Sequence, residues 1–277
     1  GVELIGEGAY AGSNQTTFVC SSNGTNTYLI NVNATATLST YGLVIENIRF
    51  DGKALVSNVI TVSGFVGMET SYVTWRNCNF LNVGGGGALV SNVNGVVGEH
   101  ALWHFENCGF ACNGSGVGQG MSVRLNADLG WDWVFTDCHF DTQTNPCHIK
   151  CQMGEMKLNN CIFDNTASGK SDIQFYNSAG LTMNNCHSGS VAPMIITYNK
   201  VDSGRWDGFP LIINDCSVND AVADANSIQH VTNSPLFVKN FEGSKVQITG
   251  VPVKVAIINS TYLYQGNISA TAFFDGA

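Results

Sequence analysis

The sequence predicts an all-β fold, a single-domain right-handed parallel β-helix (β-solenoid) of roughly 8 to 10 coils, on three observations. First, short stretches with period-2 apolar alternation run the length of the chain, and no amphipathic helix of ten or more residues competes with them. Second, one six-residue phrase recurs: apolar, any residue, Asn or Asp, often Cys, any residue, often Phe. Its copies start at Ile45, Trp75, Phe105, Phe135, Leu158, Met183 and Ile213, with weaker echoes at Val238 and Ile257. Third, successive starts lie 30, 30, 30, 23, 25, 30, 25 and 19 residues apart. A propeller blade needs about 40 residues, and sandwiches do not repeat one phrase in register. Coils of a parallel β-helix fit.

Taken in order, GVELIGEG (Gly1 to Gly8) and TTFVC (Thr16 to Cys20) read as a strand, a Gly-rich turn and a second strand. TYLINVN (Thr27 to Asn33) alternates, and LSTYGLVIENIRFDG (Leu38 to Gly52) carries the first clear phrase. Between later copies lie NVITVSG from Asn58, GMSVRLN from Gly120, CHIKCQ from Cys147 and DIQFYNS from Asp172. MIITYN from Met194, IQHVTN from Ile228 and KVQITG from Lys245 complete the set. Most end near Asn, Gly or Ser, which marks a turn.

Strand alternation assigns each slot of the phrase a direction. The first apolar residue points in and the second out; Asn or Asp takes the corner, where positive φ is needed, and Cys and Phe point in. Stacked Asn side chains hydrogen-bond from coil to coil as a ladder. Cys78, Cys108, Cys138, Cys161, Cys186 and Cys216 then form one interior column, between Ile48 and Phe241, beside a column of Phe50, Phe80, Phe110, Phe140 and Phe163. Parallel Cβ vectors on stacked strands do not favour disulfides, so free thiols and a reducing compartment of assembly are expected. Trp75, Trp103 and Trp133 belong to the core on the same register.

Composition narrows the partners. Hydrophobic residues make up 44% of the chain and charged ones 12%, with a formal net charge of -9. A chain this poor in Lys and Arg suits neither nucleic acid nor an anionic membrane surface, and no apolar run of 18 residues spans a bilayer. An uncharged or mixed sugar polymer remains a natural ligand. No cofactor is expected: GGGG from Gly84 and the glycines at 116, 118 and 120 lack the lysine and the strand-to-helix setting of phosphate loops. No metal is expected either, because Cys147 and Cys151 point to one side of their strand and His148 to the other.

Candidate site residues follow from the outward slots. With Met121, Val123 and Leu125 inward, Ser122, Arg124 and Asn126 face out. By the same count His148, Lys150 and Gln152 face out in the next coil, then Asp172, Gln174 and Tyr176, with Thr197 and Asn199 extending the row. Arg124, Lys150, His148 and Tyr176 are therefore the candidate base and cation for β-elimination on a uronic acid. The excursion YNKVDSGRWDGFP (Tyr198 to Pro210) adds Asp202 and Asp207 as candidate catalytic carboxylates and Trp206 and Arg205 as binding groups. Gln174 and Asp132 complete the substrate-binding set; register is lost across NADLGWDW, so Trp131 has no assigned side.

The opening GVELIGEG with TTF, the segment YGLVIENIRFDG and the repeated N-C-x-F phrases resemble the pectate-lyase-like β-helix superfamily, most of all the β-helix bodies of bacteriophage tailspikes. The resemblance covers most of the chain as a pattern and matches no catalytic motif residue by residue. It implies a receptor-binding protein of the virion tail, homotrimeric, that binds bacterial surface polysaccharide and in many relatives depolymerises it. No head-binding region precedes Gly1 and no trimerisation module follows, so the stretch reads as the middle of a longer spike. Two other readings stay open, a stand-alone secreted polysaccharide lyase or glycoside hydrolase and a non-catalytic fibre or adhesin module.

Overall fold

The computed structural model describes residues 2–7, 15–20, 28–33, 40–53, 58–63, 70–82, 88–92, 101–111, 121–125, 131–141, 147–152, 154–166, 168–176, 179–199, 209–219, 227–250, 252, 254–264 and 272–275. Its strands assemble into three long parallel sheets: A with eleven strands, B with eight and C with ten. One coil runs through Val73–Arg76 in A, Asn79–Leu81 in B and Ala88–Asn92 in C before Trp103–Glu106 re-enters A beside Val73–Arg76. Each strand thus pairs with its counterpart one coil away, which is the definition of a parallel β-helix. Its wind is right-handed, the sense in which twisted parallel strands are connected. Among the described residues no helix is long and apolar enough to cross a membrane.

The recurrent phrase is the A-to-B corner. Asn47, Asn77, Asn107, Asp137, Asn160, Asn185, Asp215, Asn240 and Asn259 all have φ between 50° and 59°, the left-handed region that Asn and Asp tolerate best after glycine. Their side chains form the expected ladder. Asn77 Nδ2 donates to Asn47 Oδ1 at 3.1 Å, Asn107 to Asn77 at 2.9 Å and Asn185 to Asn160 at 2.9 Å. The Cys in the next slot is buried and turns its thiol back onto the corner: Cys108 Sγ donates to the carbonyls of Glu106, at 3.4 Å, and of Trp75, at 3.5 Å. A small apolar side chain with a weak donor suits that position.

Rings fill the interior. Phe18, Phe50, Phe80, Phe110, Phe140 and Phe163 stack along sheet B with centroids 4.8 to 5.7 Å apart. Trp103 and Trp133 stack at 5.1 Å, and Trp75, Trp103 and Trp133 are fully buried. Offset stacking of this kind adds about 0.5–1.5 kcal/mol per pair beyond the area buried. All nine described cysteines are free thiols, and burial pushes Cys147 and Cys151 up to about 12.

Candidate functional site

One backbone line of sheet C runs through Arg124, Lys150 and Gln174, of which Lys150 and Gln174 are half-exposed, while Ser91 ahead of them is buried. Ser91 pairs with Arg124, Arg124 with Lys150, Lys150 with Gln174 and Gln174 with Ile196, so one backbone position is followed through five coils. Along Ile149–Cys151 and Ile173–Tyr176 the burial alternates, with Lys150 and Gln174 on the half-exposed side. Arg124 holds the corresponding place in Met121–Leu125. One step further on, Tyr176 pairs with Tyr198, and their rings stack at 5.2 Å and 22°. Lys150 Nζ lies 5.5 Å from the centre of the Tyr176 ring, a cation–π distance.

Four expectations about this face need correction. His148 is fully buried, not outward: its Nε2 bonds the Asp164 carbonyl at 3.0 Å and its ring sits against Phe140 and Phe163. The strand starts only at Ile149, so period-2 counting does not extend back through the corner that holds His148. Burial lowers its pKa to about 3, which leaves a neutral imidazole sealed from any substrate. Asp172, one coil on and also just ahead of its strand, is buried for the same reason.

Tyr176 keeps its outward register but is only 9% exposed, beneath Lys150 and beside Tyr198. Burial, then Tyr198, raises its phenol pKa, the wrong direction for a general base. The row does not continue through Thr197. That residue is buried and accepts from Val231 N at 2.8 Å, while Ile196 and Tyr198 take the outer slots.

Asp132 is not on this face. It stands at the entry to sheet A, 2.7 Å from Lys157 Nζ, and Lys157 also reaches Glu155 at 3.7 Å. Asp202, Arg205, Trp206 and Asp207 lie outside the described residues. Sequence reasoning missed Lys157, Glu155, Tyr198 and Phe209. The available signal was the phrase itself: Asp132 and Glu155 each stand three residues before a copy, at Phe135 and Leu158, and so must be neighbours. Among the described residues no three His, Cys, Asp or Glu side chains converge as metal ligands would.

What the row can do chemically is bind. A cation, amide groups and stacked phenol rings on strands ~4.8 Å apart offer charge, hydrogen bonds and apolar faces in a line. Against known proteins, no family model matches this sequence and no curated protein matches it. A solved structure does. It is the tailspike protein gp49 from Acinetobacter baumannii bacteriophage Fri1, a capsular polysaccharide depolymerase. Identity is 13%, the match covers 85% of this chain and 44% of that one, and the TM-score is 0.37. This chain therefore spans less than half the length of that tailspike, and the likeness is one of fold alone.

Proposed function

We propose that this β-helix is the glycan-binding body of a phage tailspike-type receptor-binding protein, holding an acidic bacterial surface polysaccharide on the outer face of sheet C. The observation that carries the reading is the in-register line of Arg124, Lys150 and Gln174 beside the stacked Tyr176 and Tyr198. Cations on adjacent strands match carboxylates on adjacent sugars, and the tyrosine edge offers apolar surface to a pyranose ring. Homotrimeric assembly and a place in the virion tail belong to the same proposal and rest on the resemblance of the sequence to phage tailspike β-helices alone.

If the face also cleaves, elimination suits it better than hydrolysis. Among the described residues, the backbone positions paired in line from Asn31 to Gln247 through Lys150 are Asn, Thr, Ser, Arg, Lys, Gln and one Ile, at position 196, with no carboxylate. Lys150 then remains as base, with Arg124 to steady the developing charge.

The test is incubation with uronic-acid-containing capsular polysaccharides, following binding by calorimetry and products by ultraviolet absorbance. Lys150→Ala is expected to weaken binding about tenfold, ~1.4 kcal/mol, the size of a charge-assisted contact. Absorbing products mark elimination, and binding without products marks an adhesin. Unaltered affinity in both Lys150→Ala and Gln174→Ala would rule out this face. Sedimentation of the bound and free protein reads the trimer.

A further inference from the structure

The corner by which sheet C leads into sheet A carries a second set of groups, on a different surface from the Lys150 row. One backbone position there is left-handed in coil after coil: Gly42 at φ 65°, Tyr72 at 59°, Leu102 at 59° and Asp132 at 52°. The A-to-B corner meets the same demand with asparagine or aspartate throughout. Here a tyrosine and a leucine occupy a conformation that bulky side chains resist, and strain of that kind concentrates where a side chain is needed for another purpose.

The side chains along this corner form a coherent surface. Tyr41 and Tyr72 are 50% and 59% exposed, with ring centres 6.3 Å apart. Two coils on stands Trp131, and Phe209, from three coils further along, meets its ring edge to face at 5.7 Å; both are half-buried. Glu155 lies opposite Gly180 in the paired strands, and Asp132 lies opposite Glu155, one residue ahead of the Trp133–Met156 pair. A Cβ added at Gly180 would stand 3.3 Å from Glu155 Cγ and 3.6 Å from Phe209 Cβ, so the carboxylate stem and the aromatic side chain flank one bare patch of backbone. Lys157 then joins Asp132 to Glu155, and all three are about one-third to two-fifths exposed.

We propose that this corner is a carbohydrate-binding track for neutral or amino-sugar residues of a glycan laid along the helix axis. It rests on the glycan-binding reading above but not on the sheet C face. Aromatic surfaces take the apolar C–H face of a pyranose, as at Trp131 and Phe209, and again at Tyr41 and Tyr72. Two carboxylates accept pairs of ring hydroxyls or a protonated sugar amine, and Lys157 donates. Two negative charges against one positive select against uronic acids, the reverse of the Lys150 row. From Tyr72 to Glu155 is three coils, ~14 Å at the spacing of paired strands, which is room for a short run of linked rings.

A microarray of bacterial polysaccharides, sorted into neutral, amino-sugar and uronic-acid repeat units, tests it with three variants. Wild type is expected to bind at least one neutral or amino-sugar polymer. Trp131→Ala should weaken that binding tenfold or more with the melting temperature within a few degrees of wild type. Tyr72→Asn should weaken it while raising the melting temperature, since asparagine relieves the left-handed position; a purely structural tyrosine would not give that pair of results. Lys150→Ala separates the two surfaces, lowering uronic-acid binding and sparing neutral binding. The corner track is overturned if only uronic-acid polymers bind, or if neutral binding survives both Trp131→Ala and Tyr72→Asn. It is equally overturned if neutral binding falls with Lys150→Ala instead.

Discussion

Asp172 shows how a single residue can occupy a place that the repeat reserves for a ring. In sheet B the Phe163 position is followed by Ser188, so the phenylalanine column stops there. Asp172 reaches into the same region: Thr166 Oγ1 donates to its Oδ1 at 2.6 Å and Ser188 Oγ to its Oδ2 at 2.5 Å. Those hydroxyls favour the carboxylate, but full burial outweighs them and raises the pKa from 3.8 to about 7. The folded state therefore holds a proton that the unfolded chain has lost, and stability from this group falls as pH rises from about 4 to about 7. His148 and His230 act in the opposite sense. Their pKa values are lowered to about 3 and about 4, so their stabilisation is lost as pH falls below 6.5. Asp172→Asn removes the first effect, and with it the carboxylate 4.0 Å from His148 Nε2. Its melting temperature is expected to exceed wild type at pH 8, where ionised Asp172 costs of order ~2–4 kcal/mol, and to lose that advantage by pH 4.5. Melting curves of the two proteins that stay parallel across that range would remove Asp172 as the origin.

At the scale of the element, the A-to-B corner depends on donors as much as on φ. Along a run of asparagines each side chain donates to the coil before and accepts from the coil after, but Asp137 and Asp215 have no N–H to give. Asn160 donates to Asp137 at 3.1 Å and Asn240 to Asp215 at 2.7 Å, while the neighbours on the far side, Asn107 and Asn185, face a carboxylate instead of an amide. Asp137→Asn and Asp215→Asn each restore a rung at an exposed, correctly shaped position, for an expected gain of about 0.5–1.5 kcal/mol. Denaturant titration of the single and double variants checks this; the sites are three corners apart, so the gains should add. An unchanged midpoint in both would mean the ladder is decorative. This element was the most legible part of the sequence, because its slots are set by strand alternation and a single φ requirement. The Cys and Phe columns and the three core tryptophans followed from it directly. The face of sheet C was half legible. Lys150 and Gln174 lie where alternation put them, yet His148 and Asp172 sit in corners, where two successive residues turn inward and parity gives no guidance. Asp132 could not be placed from Arg124, because register is lost across the turn between them; counting back from Phe135 puts it at the entry to sheet A.

For the whole molecule, the coils are not equally supported. A solenoid's stability is a sum of coil terms and nearest-neighbour terms, so it opens where those are weakest. The middle coils are joined by Phe105 on Phe135 at 4.5 Å, Trp103 on Trp133 at 5.1 Å and Phe110 on Phe140 at 4.8 Å. Beyond Ser188 no further phenylalanine enters that stack among the described residues. Sheet B itself ends at Ser217–Val218, with one isolated bridge from Ser217 to Glu242, whereas A and C continue to Ala272–Asp275 and Tyr262–Tyr264. Where the third wall is reduced to that bridge, an open cleft of about 440 Å³ is lined by Asn240, Phe241, Glu242, Gly243, Asn259, Ser260 and Thr261. With sheet B reduced to one bridge, these coils share fewer ladder bonds per neighbour. Amides of Leu236–Lys239, Val246–Ile248 and Val255–Ile258 are therefore expected to exchange with solvent deuterium at least ~10-fold faster than those of Trp103–Glu106 and Trp133–Thr136, a gap of ~1.4 kcal/mol or more in opening free energy. Phe110→Ala should narrow that gap from the other side, by removing the ring that Phe80 and Phe140 both stack on. Uniform protection from Trp103 to Ile258 would instead mean that the helix opens as one unit, and that the loss of sheet B costs its last coils nothing.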